Sequence, residues 1–327
     1  MTSRLSIPAA IAALLGAVLI APLPALAQTA PATQAPATQA APAAATGTPI
    51  RPIRASKIIL VGDSTTAVAG GWGPSFCAKH VSSFVACVNL ARGGRSSGSY
   101  RAEGSWDIAL AEMSSVTPAG APAYAETYVL IQFGHNDQPG KPGRSTDLVT
   151  EFPVNLRLYV EETRARGAIP ILLTPLTRRQ FVDGQLQRDL TAWADSIRKV
   201  AAETNTPLID LNAHSADAVQ ALGPVLSAKF AMARPIPEVA AALLTGTTIP
   251  AAGSVPPPPA ATSTAPAAAP TTTQTAATQN AALEPFGPPL PNFDYTHLGE
   301  VGADFFAAMV TRDLALAAPD LRRGLIP

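Results

Sequence analysis

Three short stretches of this sequence carry side chains that can make and break an ester. "VGDST", Val61 to Thr65, holds Ser64; "FGHND", Phe133 to Asp137, holds Asn136; "DYTH", Asp294 to His297, sets a carboxylate three residues before an imidazole. A serine on a tight turn between strand and helix presents its hydroxyl as a nucleophile, and its own backbone N–H lies where negative charge is stabilised. The Asp294–His297 spacing puts both groups on the same side of a turn, where the carboxylate can orient the ring that removes the hydroxyl proton. In a fourth stretch, "NLARGGRSSGSY" (Asn89 to Tyr100), Gly94 has no Cβ to keep a backbone N–H from a ligand oxygen. Asn136 can offer its amide to the same oxygen, and Asp137 can brace that loop.

Taken singly, each stretch has a plainer explanation. Asp63 or Ser64 would cap a helix, the glycines would form a turn, and Asp294 would cap the helix that follows, with His297 in its first turn. Together they supply a nucleophile, an oriented base and oxyanion donors, each once and in that order, which is what acyl transfer through serine needs. His135 lies on the wrong loop to pair with Asp294 and is assigned to structure or to the rim of the site. His80 and His214 fall on expected helices away from the strand ends and receive no role.

These residues need a scaffold that brings four distant stretches together. Short apolar runs rich in β-branched residues predict strands at 57–62, 84–89, 127–133, 169–174 and 207–211. Between them lie helical patterns at 72–82, 105–113, 148–166 and 186–204. This alternation predicts an α/β fold, a doubly wound three-layer α/β/α sandwich around a five-stranded parallel sheet. Such sheets bind ligands at the carboxyl ends of their strands, where the blocks above fall.

In these blocks the chain resembles the SGNH (GDSL-like) hydrolases, named for their Ser, Gly, Asn and His blocks. Ser64 matches the first, Gly94 the second within "N-x-A-x-x-G-R-S", Asn136 the third, and Asp294 with His297 the last. The likeness runs from Lys57 to about Leu316. "GDST", "GGRSS" followed by "EGSWD", "FGHND", "LLTPLTRRQF" and "DYTHL" are similar to the rhamnogalacturonan acetylesterase branch. There "EGRWD" is expected, so Ser105 removes one basic group near the site. The resemblance implies a flavodoxin-like sheet and a Ser64–His297–Asp294 triad. It also implies an oxyanion hole of the Ser64 and Gly94 N–H groups with the Asn136 amide, no cofactor or metal, and release of acetyl groups from pectic polysaccharide. Arg95, Arg178 and Arg179 follow the second and fourth strands, where a uronic-acid polymer would offer them carboxylates. An O-acetyltransferase, a lysophospholipase or a thioesterase would use the same triad.

The remainder of the 327 residues bounds where the enzyme works. Residues 1–27, with an apolar "AAIAALLGAVLIA" and "ALA" before Gln28, match a cleaved secretory signal, too short for a permanent membrane anchor. The mature protein is therefore expected in the periplasm or outside the cell. A Pro/Ala/Thr-rich tether over 28–52 leads into a domain at 53–327, interrupted by a low-complexity insertion at about 245–291. Formal net charge is +0, with no basic run, so nucleic acid is not an expected partner. A monomer is expected. Cys77 and Cys87 are compatible with one disulfide or with two buried thiols.

Overall fold

The computed structural model describes residues 55–250 and 292–327. The signal and tether expected at 1–52 lie outside them, as does most of the insertion. The strands in chain order are β1 (Ser56–Gly62), β2 (Val85–Asn89), β3 (Thr127–Gln132), β4 (Ile169–Leu173), the two-residue β5 (Phe181–Val182) and β6 (Gln185–Leu186), and β7 (Leu208–Ile209). β5 and β6 pair as a small antiparallel hairpin; the others form one parallel sheet in the order β2-β1-β3-β4-β7. The helices are α1 (Gly73–Lys79), α2 (Ser97–Ala102), α3 (Ser105–Met113), α4 (Phe152–Ala165), α5 (Thr191–Glu203), α6 (Leu211–Ser227), α7 (Pro237–Leu244) and α8 (Glu300–Ala317).

Alternation along each strand divides the core in two. Ile58, Leu60, Tyr128, Leu130, Ile171 and Leu173 face one side, against Phe76 of α1, Val219 of α6 and Phe306 and Val310 of α8. Ile59, Val61, Val129, Ile131 and Leu172 face the other, against Trp106 of α3, Tyr159 of α4 and Trp193 and Ile197 of α5. Both faces of the sheet are thus covered, as continuous apolar strands require, and each fully buried Ile or Leu contributes about 1.5–3 kcal/mol. The three-layer α/β/α architecture expected from the sequence is the one observed.

Three helices differ from expectation for local reasons. α1 ends at Lys79 because the following chain turns to meet the C-terminal segment, where Ser82 N donates to Gly324 O and Ile326 N to His80 O. α4 starts only at Phe152, since Asp147 Oδ1 accepts from the N–H groups of Val149 and Thr150 and holds them in a turn. α5 starts at Thr191 because Gln185 and Leu186 belong to the hairpin. The first residues of the expected insertion are tied to that hairpin: Thr248 N donates to Phe181 O at 2.9 Å and Gly184 N to Gly246 O at 2.8 Å.

The order of the sheet decides where a site can form. From β1 the chain crosses to β2 on one side and then to β3 on the other, so the connections diverge between β1 and β3 and leave a crevice at their carboxyl ends. Register makes these ends level, with Gly62 opposite Gln132 and Leu60 opposite Asn89. The loops carrying Ser64, Gly94 and Asn136 therefore leave the sheet side by side.

Candidate active site

Ser64 sits on a turn built almost wholly from buried polar groups. Asp63, with no exposed surface, accepts at Oδ1 from Thr65 N (2.9 Å) and Thr65 Oγ1 (2.8 Å), while its carbonyl accepts from Thr66 N and Ala67 N. Burial raises the Asp63 carboxyl pKa, against the bonds from Thr65 and the charges of Lys141 and His297. Gln132, at the end of β3, grips the same turn: its Oε1 accepts from Thr66 Oγ1 (2.6 Å) and Trp72 Nε1 (2.8 Å), and its Nε2 donates to Thr65 Oγ1 (3.3 Å). Ser64 itself remains partly exposed. One expectation is corrected here: the next helix, α1, begins only at Gly73, so the Ser64 N–H owes its position to this polar turn and not to a helix start.

The loop after β2 lies against that turn. Arg92 N donates to Gly62 O at 2.9 Å, and a methyl group placed on Gly93 would come within 3.7 Å of Ser64 Cβ. Gly94 has φ +77°, a conformation that an L side chain would strain. Among the described residues, neither the Ser64 nor the Gly94 N–H donates to another protein group. From β3, Asn136 reaches across to the same loop, its Nδ2 donating to Arg95 O at 3.0 Å. One Nδ2 hydrogen is thereby used, and an amide nitrogen has a second.

The third component comes from the other end of the chain. His297 Nδ1 lies 2.8 Å from Asp294 Oδ2, while Asp294 Oδ1 accepts from Thr296 N (2.7 Å) and His297 N (2.6 Å). Burial pushes the Asp294 carboxyl up, but the bonds and charge of His297 and the Thr296 N–H outweigh it and hold the pKa at about 2. An ionised carboxylate on Nδ1 fixes the proton there and leaves Nε2 as the basic nitrogen. This turn docks on the serine loop: Leu298 N donates to Gly70 O at 2.8 Å, and a methyl group on Gly70 would lie 3.1 Å from His297 Cβ. Ser64 Oγ makes no hydrogen bond among the described residues; catalytic hydrogen bonds often tighten only with substrate present. α8 starts at Glu300 with Gly299 as its N-cap, so Asp294 is not a helix cap.

Of the three arginines expected at the substrate, Arg179 is corrected. It is 1% exposed and donates to three carbonyls of the Asp294–His297 turn: Asp294 O (3.1 Å), Thr296 O (3.2 Å) and His297 O (2.8 Å). Its own N–H donates to Tyr295 O at 2.9 Å. Burial brings its pKa down to about 10, against the pull of Asp294. Arg178 is paired with Asp189, and Arg95 with Glu103 through Nε at 3.0 Å. Ser105, the departure noted in "EGSWD", is buried at the start of α3 and accepts from Arg92 at 2.9 Å.

Asp137 braces its loop as expected, accepting from Ser97 N (3.0 Å), Ser97 Oγ (2.6 Å) and Thr146 Oγ1 (2.9 Å). Burial raises its pKa to about 6 despite these bonds. His135 is buried, and its Nε2 lies 2.8 Å from Leu176 O, which makes Nε2 the protonated nitrogen. Burial, with the charges of Arg178 and Lys141, keeps its pKa well below the usual histidine range. Two basic residues went unmarked in the sequence, Lys141 and Arg144 of "QPGKPGRS". Lys141 Nζ donates to His135 O at 2.5 Å and to Asn136 Oδ1 at 3.4 Å, and Arg144 reaches Gly94 O at 3.4 Å. Their position in the loop after a parallel strand was the available signal.

A family model described as GDSL-like Lipase/Acylhydrolase family matches residues 60–229. The Bacillus subtilis (strain 168) protein named Probable rhamnogalacturonan acetylesterase YesY is 33% identical over 164 residues, 48% of this chain and 70% of its own. Rhamnogalacturonan acetylesterase RhgT of the same organism is 35% identical over 176 residues, 51% of this chain and 70% of its own. The crystal structure of protein YXIM of Bacillus subtilis superposes with a TM-score of 0.49 at 21% identity, over 81% of this chain and 58% of that one.

Proposed function

We infer the function from one premise: this chain belongs to the GDSL-like lipase/acylhydrolase family. It is a carboxylic ester hydrolase. We propose that it removes O-acetyl groups from a plant cell-wall polysaccharide, acetylated rhamnogalacturonan, with Ser64, His297 and Asp294 as its triad. The observation that carries the triad is the 2.8 Å Asp294–His297 contact on a turn docked against the serine loop. The substrate class rests on the two curated relatives named for that polysaccharide.

In the proposed mechanism His297 Nε2 takes the Ser64 hydroxyl proton as Oγ attacks the acetyl carbonyl carbon. The oxyanion is held by the N–H groups of Ser64 and Gly94 and by the second Nδ2 hydrogen of Asn136, donors already oriented before charge develops. Collapse expels the sugar oxygen, which takes the proton from His297 and leaves an acetyl-serine. Water then attacks the acetyl carbon, His297 removes its proton, and acetate leaves as Ser64 is reprotonated. We further propose export from the cytoplasm; the Cys77–Cys87 disulfide between α1 and β2 supports an oxidising compartment.

Acetate release from acetylated rhamnogalacturonan, acetylated xylan and a small acetyl ester, measured for the wild type and Ser64→Ala, tests the reading. Faster release from the rhamnogalacturonan and no activity in the variant are expected. An active Ser64→Ala enzyme removes the triad, and a preference for xylan removes the substrate. A sugar acceptor included in the assay reports transfer in place of hydrolysis.

A further inference from the structure

Lys141 is a half-buried cation facing the oxyanion side of the site, with no part in the triad. Its ammonium is anchored on His135 O at 2.5 Å and reaches Asn136 Oδ1 at 3.4 Å. These contacts settle which way the Asn136 amide points. An ammonium only donates, so it must face the amide oxygen; the Arg95 carbonyl only accepts, so it must face the nitrogen. The amide is thus clamped between two groups that forbid its flipped form. We propose that Lys141 is a positioning residue for catalysis: it locks the Asn136 amide and places a positive charge behind the donor on which the acyl oxyanion forms.

The proposal rests on Asn136 being an oxyanion donor and goes beyond it in two respects. First, a cation at Oδ1 polarises the amide, so each Nδ2–H becomes a stronger donor, and its charge acts on the developing oxyanion through a partly desolvated path. Second, it gives the site a proton-dependent element separate from the triad. The groups around Lys141 are Asp63 of the serine turn, His135 and Asp137 of its own loop's start, Arg144 of the same loop and Arg178 after β4. Burial, with Arg178 and Arg144, lowers the Lys141 pKa to about 8, against Asp63 and Asp137. The ammonium is therefore present below that pH and lost above it.

Steady-state kinetics of the wild type, Lys141→Met, Lys141→Arg and Asn136→Ala on 4-nitrophenyl acetate, from about pH 6 to about pH 10, test this. A neutral ester removes any contribution from pairing with a substrate carboxylate. For Lys141→Met, kcat at neutral pH should fall roughly 10- to 100-fold with KM changed less than about threefold. Wild-type kcat should decline as pH rises past about 8, and this limb should be absent from Lys141→Met and displaced upward in Lys141→Arg, whose charge persists. In an Asn136→Ala background, Lys141→Met should add little, because the two act as one unit. A Lys141→Met enzyme with wild-type kcat, or an effect confined to KM, overturns the proposal. Should that variant fail to fold by circular dichroism, Lys141→Arg decides, and an unmoved alkaline limb overturns it. A fully active Asn136→Ala enzyme instead overturns the oxyanion reading beneath it.

Discussion

The guanidinium of Arg179 donates to the carbonyl oxygen of His297 at 2.8 Å, so the backbone of the candidate base is held from beneath by a buried cation on a different loop. Removing the cation leaves the half-buried carbonyls of Asp294, Thr296 and His297 without this donor, a penalty of about 1–3 kcal/mol for a group that water cannot reach and less for one that it can. Arg179→Met should therefore lower unfolding free energy by about 2–4 kcal/mol, measured as a shift in urea midpoint at unchanged slope. Arg179→Lys keeps the charge but not the fork, and should retain more stability than Met while still lowering kcat. Wild-type stability in Arg179→Met would deny the residue this role.

Asp294→Asn should separate the two jobs of that carboxylate. Asparagine retains Oδ1 for the Thr296 and His297 N–H groups, so the turn should keep its shape and the protein its fold, with melting temperature lowered only by the loss of the carboxylate charge. At the other position an NH2 replaces Oδ2, and it can only donate to Nδ1, which moves the ring proton to Nε2. The nitrogen that must accept the serine proton is then blocked, and kcat should fall by about 10²- to 10⁴-fold with a smaller change in KM. An unchanged kcat would take Asp294 out of the triad.

On the acid side of the pH–rate profile Asp294 should contribute no ionisation, because its carboxyl is held at about 2 and stays charged throughout the working range. An Asp294 ionisation visible in log kcat/KM above about pH 4 would contradict this. Stability follows the carboxylate differently. A depressed folded pKa means that the contribution of Asp294 is present above 3.8 and lost as pH falls towards about 2, so this share of the stability should disappear across that window. Asp294→Asn should reduce the stability change across it.

The disulfide between Cys77 and Cys87 closes a short loop between α1 and β2, the two cysteines standing 10 positions apart in sequence. By chain entropy, a loop of this size is worth about 2–3 kcal/mol. The double variant Cys77→Ser, Cys87→Ser should lose about that much in thermal or denaturant unfolding and keep its kcat, because neither cysteine touches the Ser64 turn through a hydrogen bond. Loss of activity with stability retained would contradict this.

Replacing residues 251–291 by a short Gly/Ser linker should leave the folded domain stable to within about 1 kcal/mol, since loop-closure entropy changes slowly with length. The two flanks already meet: Tyr295 Oη donates to Ile249 O at 2.8 Å, and Phe293 and Tyr295 pack with Val239 and Leu243 of α7. Circular dichroism and acetate release on the shortened protein check this. Unfolding would mean that the tract is structural, and a fall in activity on polymer but not on a small ester would implicate it in access.

The legible parts of this fold are those governed by short-range pattern. Strands β1 to β4 fall within one residue of the expected ends, because "KIILVG" and its counterparts are apolar on both faces and stop where polar loops begin. β7 is shorter than expected since Asp210 accepts from Ala213 N and starts α6 there. The Asp294–His297 pair was legible only together with the serine, glycine and asparagine blocks, since its spacing alone fits a helix cap as well. α2 was not: "SGSYRA" has weak helix propensity and relies on the reciprocal Ser96–Ser99 cap and on Asp137 at Ser97. Arg179 and Lys141 were misplaced or missed for a related reason. Arginine and lysine are exposed in most proteins, and only the assembled topology supplies the carbonyls that hold Arg179 buried and Lys141 half-buried.

The junction of Ile249 with Tyr295 also divides the enzyme in a usable way. Everything upstream carries the proposed nucleophile and oxyanion donors, while the short piece beginning at residue 292 carries the candidate base, its carboxylate and α8, whose Phe306, Val310 and Leu314 lie in the core against the sheet. A protease acting within 251–291 would convert one polypeptide into two that remain associated through that packing. Catalysis would survive the cut and become dependent on concentration once the pieces were diluted below their dissociation constant. Mixing separately produced pieces ending at 250 and beginning at 292 should therefore restore turnover, and inactive mixtures would contradict this layout.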